Sequence, residues 1–179
     1  MKLTLIRHTK VAVHPGICYG QTDILLADSY QEEKNIIREQ LENLSFDHVF
    51  SSPLSRCKKL AEALFTAQSI HFDDRLKELH FGEWEEKNWD DIYQMAAGKH
   101  WMNNYLEASC PGGESYLEFH QRVASFLDQL EASFYNNVVV FTHGGVIRLV
   151  KSILENQPMN EVFSTFNPVY GGVYEFEIK

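Results

Sequence analysis

Two short apolar runs, each ending on a histidine, constrain this chain more than any other feature. Leu3–Thr4–Leu5–Ile6 delivers Arg7 and His8, and Val138–Val139–Val140–Phe141–Thr142 delivers His143, Gly144 and Gly145. Runs this short, branched and apolar read as strands buried on both faces, as in parallel sheets. In open α/β sheets the carboxyl ends of the strands form the ligand crevice. Two imidazoles and the Arg7 guanidinium are therefore expected to converge on one point there. That set suits phosphate: an always-charged fork for the anion, a nucleophilic nitrogen, and a second histidine to hold charge.

The rest of the chain alternates strand and helix signals. Residues 7–27 form a long loop holding Tyr19, Gln21 and Thr22, and loops of that length usually bind something. Ser29-x-x-Glu32 reads as a capping box opening a helix through Ile36, Ile37, Leu41 and Leu44. His48–Ser51 is a second strand. Ser52 as N-cap and Pro53 at the first helical position start the next helix, with Leu60, Ala61 and Leu64 facing the core. Ile70–Phe72 is a weaker strand. Residues 75–114, irregular and rich in Trp, Tyr, His and acids, are expected to sit over the strand ends as a lid or wall. Ser115-x-x-Glu118 caps a long helix with one buried stripe, Phe119, Val123, Phe126, Leu127 and Leu130. A helix follows Gly144–Gly145, and Val173–Ile178 alternates like an edge strand. The expectation is α/β: a three-layer α/β/α sandwich with a mostly parallel sheet and an antiparallel edge strand, in a single domain over residues 1–179.

Charge narrows the partners. The formal net charge is −9 with no Lys/Arg block, which argues against nucleic acid and anionic membrane. An acidic protein that handles an anion must build its positive potential locally, so scattered arginines gain interest. No apolar run approaches the ~20 residues that span a bilayer, and Met1–Arg7 is too short for a signal peptide; the expected location is the cytoplasm. Cys18, Cys57 and Cys110 are odd in number, widely spaced and without CxxC, so they read as free thiols packed as small apolar groups. His8, His80 and His143 lack HExxH or any usual carboxylate–histidine spacing, which leaves a zinc reading unsupported.

Four elements carry candidate chemistry. His8, as a nucleophile, must be neutral with one nitrogen on the substrate and the other N–H held by an acceptor. Arg56, in Ser51-Ser52-Pro53-Leu54-Ser55-Arg56, stands in the first turn of a helix, where a cation opposes the helix dipole unless an anion is bound nearby. Glu78, before Phe81-Gly82-Glu83-Trp84, is placed for general acid work, because apolar surroundings and a bound phosphate dianion both favour its protonated form. Glu114 competes for that role but reads first as a helix-terminus carboxylate, and Glu83, Glu85 and Glu86 read as solvated surface groups. His143, between a buried strand and Gly144–Gly145, must approach something closely, and the following helix N-terminus adds positive potential at the same spot.

Taken in order, Leu5-Ile6-Arg7-His8, Ser51-Ser52-Pro53-Leu54-Ser55-Arg56-Cys57, Glu78-Leu79-His80-Phe81-Gly82-Glu83-Trp84-Glu85, Pro111-Gly112-Gly113-Glu114-Ser115 and Thr142-His143-Gly144-Gly145 resemble the histidine phosphatase, or phosphoglycerate mutase-like, superfamily. The resemblance spans nearly the whole chain. It implies a phosphomonoesterase with no metal and no cofactor. His8 would be the phosphorylated nucleophile, Arg7, Arg56, His143 and Gly144 the rest of the phosphate pocket, and Glu78 the proton donor. Within the superfamily the chain is most similar to α-ribazole phosphatases of cobalamin biosynthesis, chiefly through Gly16-Ile17-Cys18-Tyr19-Gly20-Gln21-Thr22-Asp23. Thr9, Tyr19, Gln21 and Thr22 are then candidate substrate contacts. The expected partner is a small phosphate monoester. Rival readings are a broad-specificity sugar-phosphate phosphatase, a phosphoglycerate mutase, and a non-catalytic phospholigand binder. Thr9 stands where the superfamily usually has glycine, and a β-branched residue disfavours positive φ.

Overall fold

The apolar runs become strands because their side chains are wanted on both sides of a sheet. The computed structural model describes all residues 1–179. Five strands, β1 (Lys2–Arg7), β2 (His48–Ser51), β3 (Ile70–Phe72), β4 (Asn137–Thr142) and β5 (Val173–Glu177), form one sheet in the order β3-β2-β4-β1-β5. All neighbouring pairs are parallel except β1 with β5, the antiparallel edge. Period-two alternation divides the side chains between the faces. Leu3, Leu5, Phe50, Val138 and Val140 pack beneath α5 (Tyr116–Glu131) and α6 (Gly144–Leu154). Ile6, Val49, Val139 and Phe141 meet α1 (Tyr30–Leu41) and α2 (Ser55–Leu64) on the other face. Val138, Val139, Val140 and Phe141 are all fully buried, and at ~1.5–3 kcal/mol per side chain this favours β4 at the centre of the sheet.

That topology places the site. The chain leaves β1 toward α1 on one face and leaves the adjacent β4 toward α6 on the other. Their carboxyl ends therefore open into a crevice with no crossover above it. The register sets Arg7 opposite Thr142, so His8 and His143 emerge side by side.

Several local expectations are corrected. Ser115 and Glu118 make both bonds of a capping box, but Ser29 is helical and gives its hydroxyl to Glu33 rather than to backbone. Ile36 and Leu44 are exposed, leaving Ile37 and Leu41 as the buried stripe of α1. Helix α2 begins at Ser55, not Pro53, because Leu54 is extended (φ −60°, ψ 136°) and stands at the N-cap position. Residues 75–114 are not wholly irregular: they hold α3 (Trp89–Gln94) and α4 (Ala96–Asn104), short helices packed on each other. A further helix, α7 (Met159–Thr165), follows α6. No helix is long and apolar enough to cross a membrane.

Candidate active site

His8 is pinned by backbone on two sides: its N–H donates to Thr142 O at 3.0 Å and its carbonyl accepts from Gly171 N–H at 3.1 Å. Its Nδ1 lies 2.7 Å from Thr9 O. A carbonyl only accepts, so Nδ1 carries the proton and Nε2 presents a lone pair. The ring is nearly buried and lies 5.2 Å, centroid to centroid, from that of His143. Burial, reinforced by the charges of Arg56 and Arg7, holds His8 well below its ordinary value near 6.5, and His143 is lowered by the same causes. Both imidazoles are neutral at physiological pH.

The two arginines beside them have no carboxylate partner. Arg56 is fully buried and donates to the carbonyls of Thr22 at 2.9 Å and Gly20 at 2.5 Å, while its Nε is unpaired. Arg7 donates from Nη1 to Pro168 O at 2.6 Å, lies 3.9 Å from the centroid of the Tyr170 ring, and also has a buried, unpaired Nε. Buried charges are normally paired. Two guanidiniums with spare N–H groups beside two neutral imidazoles form a cradle for an anion.

Glu78 approaches from the other side. Its carboxylate accepts from Gly145 N–H at 3.0 Å and Leu79 N–H at 3.1 Å. The two glycines after His143 are explained by close approach rather than by dihedral, since neither has positive φ. A Cβ on Gly145 would lie 2.2 Å from Glu78 Oε1, and one on Gly144 would crowd the Arg7 guanidinium at 3.3 Å. Thr9 likewise has no positive φ, so the residue that usually is glycine needs no glycine here.

Arg7, His8, Arg56, Glu78 and Gly145 share the floor of one cavity of about 810 Å³. His143 and Gly144 do not line it but adjoin lining residues, His143 the His8 ring and Gly144 the Arg7 guanidinium. The walls are mostly apolar, with Phe81, Trp89, Trp101, Tyr105, Tyr116 and Phe163 prominent. Of the aromatic residues of segment 75–114, Trp84 is core and Tyr93 is exposed, whereas the others face the cavity. Tyr19 lines it too, its hydroxyl 2.5 Å from that of Tyr170.

Other sequence candidates are placed differently. Gln21 gives its side-chain amide to Glu78 O at 3.1 Å, the Thr22 hydroxyl goes to Glu85, and neither residue lines the cavity. The Thr9 hydroxyl is buried, unpaired and away from the cavity wall. Glu114 is held by Arg122 at 2.6 Å and by His80 N–H at 3.0 Å, as a structural carboxylate. No three His, Cys, Asp or Glu side chains gather where they would hold a metal.

The supporting residues carried weaker signals. Glu85, read as a surface group, has an 8% exposed side chain and accepts from the N–H groups of Gln21, Thr22 and Phe81. It thereby fixes the loop whose carbonyls hold Arg56. Arg122 donates to the carbonyls of Arg75, Lys77 and Glu78, clamping the backbone that presents the Glu78 carboxyl. Its position three residues after Phe119, on the apolar stripe of α5, is the sign that it faces inward. Tyr170 was missed, and its one local signal is the Gly171–Gly172 pair that follows it.

Residues 3–179 match the model of the histidine phosphatase superfamily (branch 1). The chain belongs to that superfamily. It is 30% identical over 164 residues to the adenosylcobalamin/alpha-ribazole phosphatase of Escherichia coli K12, covering 88% of this chain and 81% of that one. It is 32% identical over 141 residues to a probable phosphoglycerate mutase GpmB of Salmonella choleraesuis, covering 75% of this chain and 66% of that one. The alpha-ribazole phosphatase from Shigella flexneri superposes with a TM-score of 0.91 at 28% identity, covering 100% of this chain and 91% of that chain. As a histidine phosphatase, the protein is placed among phosphate-handling enzymes by its family and not by the cradle alone.

Proposed function

We propose that this histidine phosphatase hydrolyses α-ribazole 5′-phosphate through a phosphohistidine at His8. The observation that carries the chemistry is the pair of guanidiniums without carboxylates around a neutral His8 whose Nε2 is free. Nε2 attacks phosphorus in line, the ester P–O bond breaks, and the leaving alkoxide takes the proton of Glu78. Glu78, now a carboxylate, removes a proton from water, whose oxygen attacks phosphorus and breaks the N–P bond. Arg7, Arg56 and His143 hold the equatorial oxygens throughout, so stabilisation is electrostatic and pre-organised.

Substrate choice rests on the cavity. A small acid such as 3-phosphoglycerate needs a cation for the carboxylate it carries beside the phosphate. Beyond Arg7 and Arg56 the cavity offers two permanent cations, Lys10, largely exposed and paired with Glu33 at 3.8 Å, and Arg148, held at one side by Phe166 O and Asn167. A large apolar cavity walled by aromatic rings suits a flat base instead. The test compares kcat/KM for α-ribazole 5′-phosphate, 3-phosphoglycerate, glucose 6-phosphate and a phosphopeptide. Expected is a preference of at least about 100-fold, or about 2.7 kcal/mol, for the first. A flat profile, or conversion of 3-phosphoglycerate to its isomer, overturns the substrate assignment.

A further inference from the structure

His143 is neutral and fully buried, so a single proton must be placed on one of two ring nitrogens. Its Nε2 lies 2.8 Å from Ser52 Oγ. Ser52 is also fully buried, and the same Oγ stands 3.3 Å from the Leu54 N–H. That N–H only donates, and a hydroxyl has one proton to give. If Ser52 accepts from Leu54 and donates to Nε2, every group is paired except the Nδ1 N–H. If Nε2 carried the proton, two donors would converge on Oγ, and the Ser52 O–H would have only the weakly accepting Cys57 sulfur. The Cys57 thiol itself donates to Thr142 O, at 3.4 Å. The first arrangement thus leaves one group without a good partner, the Nδ1 N–H, and the second leaves two, the Ser52 O–H and the Nδ1 lone pair; unmade bonds at a buried site are costly, so the first arrangement wins.

We infer that Ser52 is a positioning residue: its hydroxyl locks His143 in the tautomer with the proton on Nδ1. Nδ1 makes no hydrogen bond to oxygen or nitrogen; its one polar contact is Cys57 Sγ at 3.9 Å, a sulfur that also lies 3.5 Å from Nε2. An N–H, rather than a lone pair, is thus offered to the phosphoryl oxygen. A lone pair there would repel the anion. The kinetic part of the inference rests on the phosphohistidine reading, whereas the tautomer does not.

The experiment is ¹⁵N NMR of the histidine rings in the free enzyme, with the His143 signals assigned by their loss in His143→Gln. Wild type should show a protonated Nδ1 and a bare Nε2, and Ser52→Ala should show a mixture of tautomers. With p-nitrophenyl phosphate, Ser52→Ala should lower kcat about 10- to 100-fold and KM by no more than a few-fold, since a donor to developing charge acts mainly in the transition state. Ser52→Thr, which keeps the hydroxyl, should recover most of kcat. A wild-type ring protonated on Nε2, or an unchanged kcat in Ser52→Ala, overturns the inference. Should Ser52→Ala fail to fold, the wild-type tautomer decides alone. Absence of a phosphoenzyme counts against the proposed function and leaves the tautomer result standing.

Discussion

The floor and the walls of the cavity are built on different principles. Arg7, His8 and His143 stand at the ends of β1 and β4, and Arg56 in the first turn of α2, so regular hydrogen-bonded elements hold them. Backbone and side-chain bonds fix them, and the atoms left over, the Nε groups of Arg7 and Arg56 among them, stand without partners. The walls come from a long loop, the short helices α3, α4 and α7, and rings that touch mostly one another. Such elements have few backbone bonds to the sheet and tolerate replacement. In the proposed function this contrast separates two tasks: the floor handles the phosphoryl group, common to every substrate, and the walls choose what is attached to it.

The largest expected effect breaks the floor. His8→Ala should lower kcat/KM by on the order of 10⁴-fold or more, as loss of a covalent nucleophile does. The loss should be equal for every phosphomonoester tested. Rapid-quench labelling with a ³²P-labelled substrate should give an acid-labile phosphoenzyme in wild type and none in the variant. A variant that loses activity on one substrate and keeps it on another would collapse the distinction between floor and walls.

Acid should also find the floor first. His8 and His143 are neutral when folded, with values lowered by burial and by the arginines, whereas the unfolded chain protonates both near 6.5. Below that pH the unfolded state binds more protons, so stability falls as pH falls and is flat above it. The slope approaches about 1.4 kcal/mol per pH unit for each histidine. Glu85 acts later: burial raises it, but hydrogen bonds from Gln21, Thr22 and Phe81 outweigh that and leave it below its ordinary value near 4.5. Its contribution is lost only under stronger acid. On the wall, burial pushes Tyr116 up to about 12 and Tyr105 upward too, far from this window. Urea midpoints measured from pH 7.5 to 5.5 should drop below about pH 6.5, and His143→Gln should remove about half of the slope. A level midpoint over that range contradicts two neutral buried imidazoles.

The same contrast decides what was legible in the sequence. Strand ends can be read, because a buried apolar run stops abruptly and the next residue must lie at the sheet's edge; Arg7, His8 and His143 followed from that. Arg56 followed from its awkward place at a positive helix terminus. Ser52 was misread, since a serine before proline looks like an N-cap and nothing local reveals a histidine 91 residues away. Glu85 was misread for a similar reason: a glutamate among glutamates looks solvated until a distant loop brings it backbone N–H groups. Gln21 and Thr22 looked like ligand contacts, being polar and in a long loop, yet they serve that buried carboxylate. The helices α3 and α4 were invisible because six and nine residues are too few to establish a period when aromatic clustering sets the packing.

The smallest effect tests the walls. Trp101, on α4, lines the cavity and packs edge-on against Trp84 and Phe81, with Trp89 stacked at 6.3 Å. Its indole N–H is buried without a partner, so its contribution in the free protein is packing and shape. Trp101→Ala should lower kcat/KM for α-ribazole 5′-phosphate about 10-fold, mainly through KM, because a ring contact is worth about 0.5–1.5 kcal/mol beyond its area. Activity on ethyl phosphate, which has no base to place, should stay within about 2-fold. Trp101→Phe keeps a ring and should fall between. Equal losses on the two substrates would mean that α4 supports the floor mechanically, and that the walls are not the part of this molecule that discriminates.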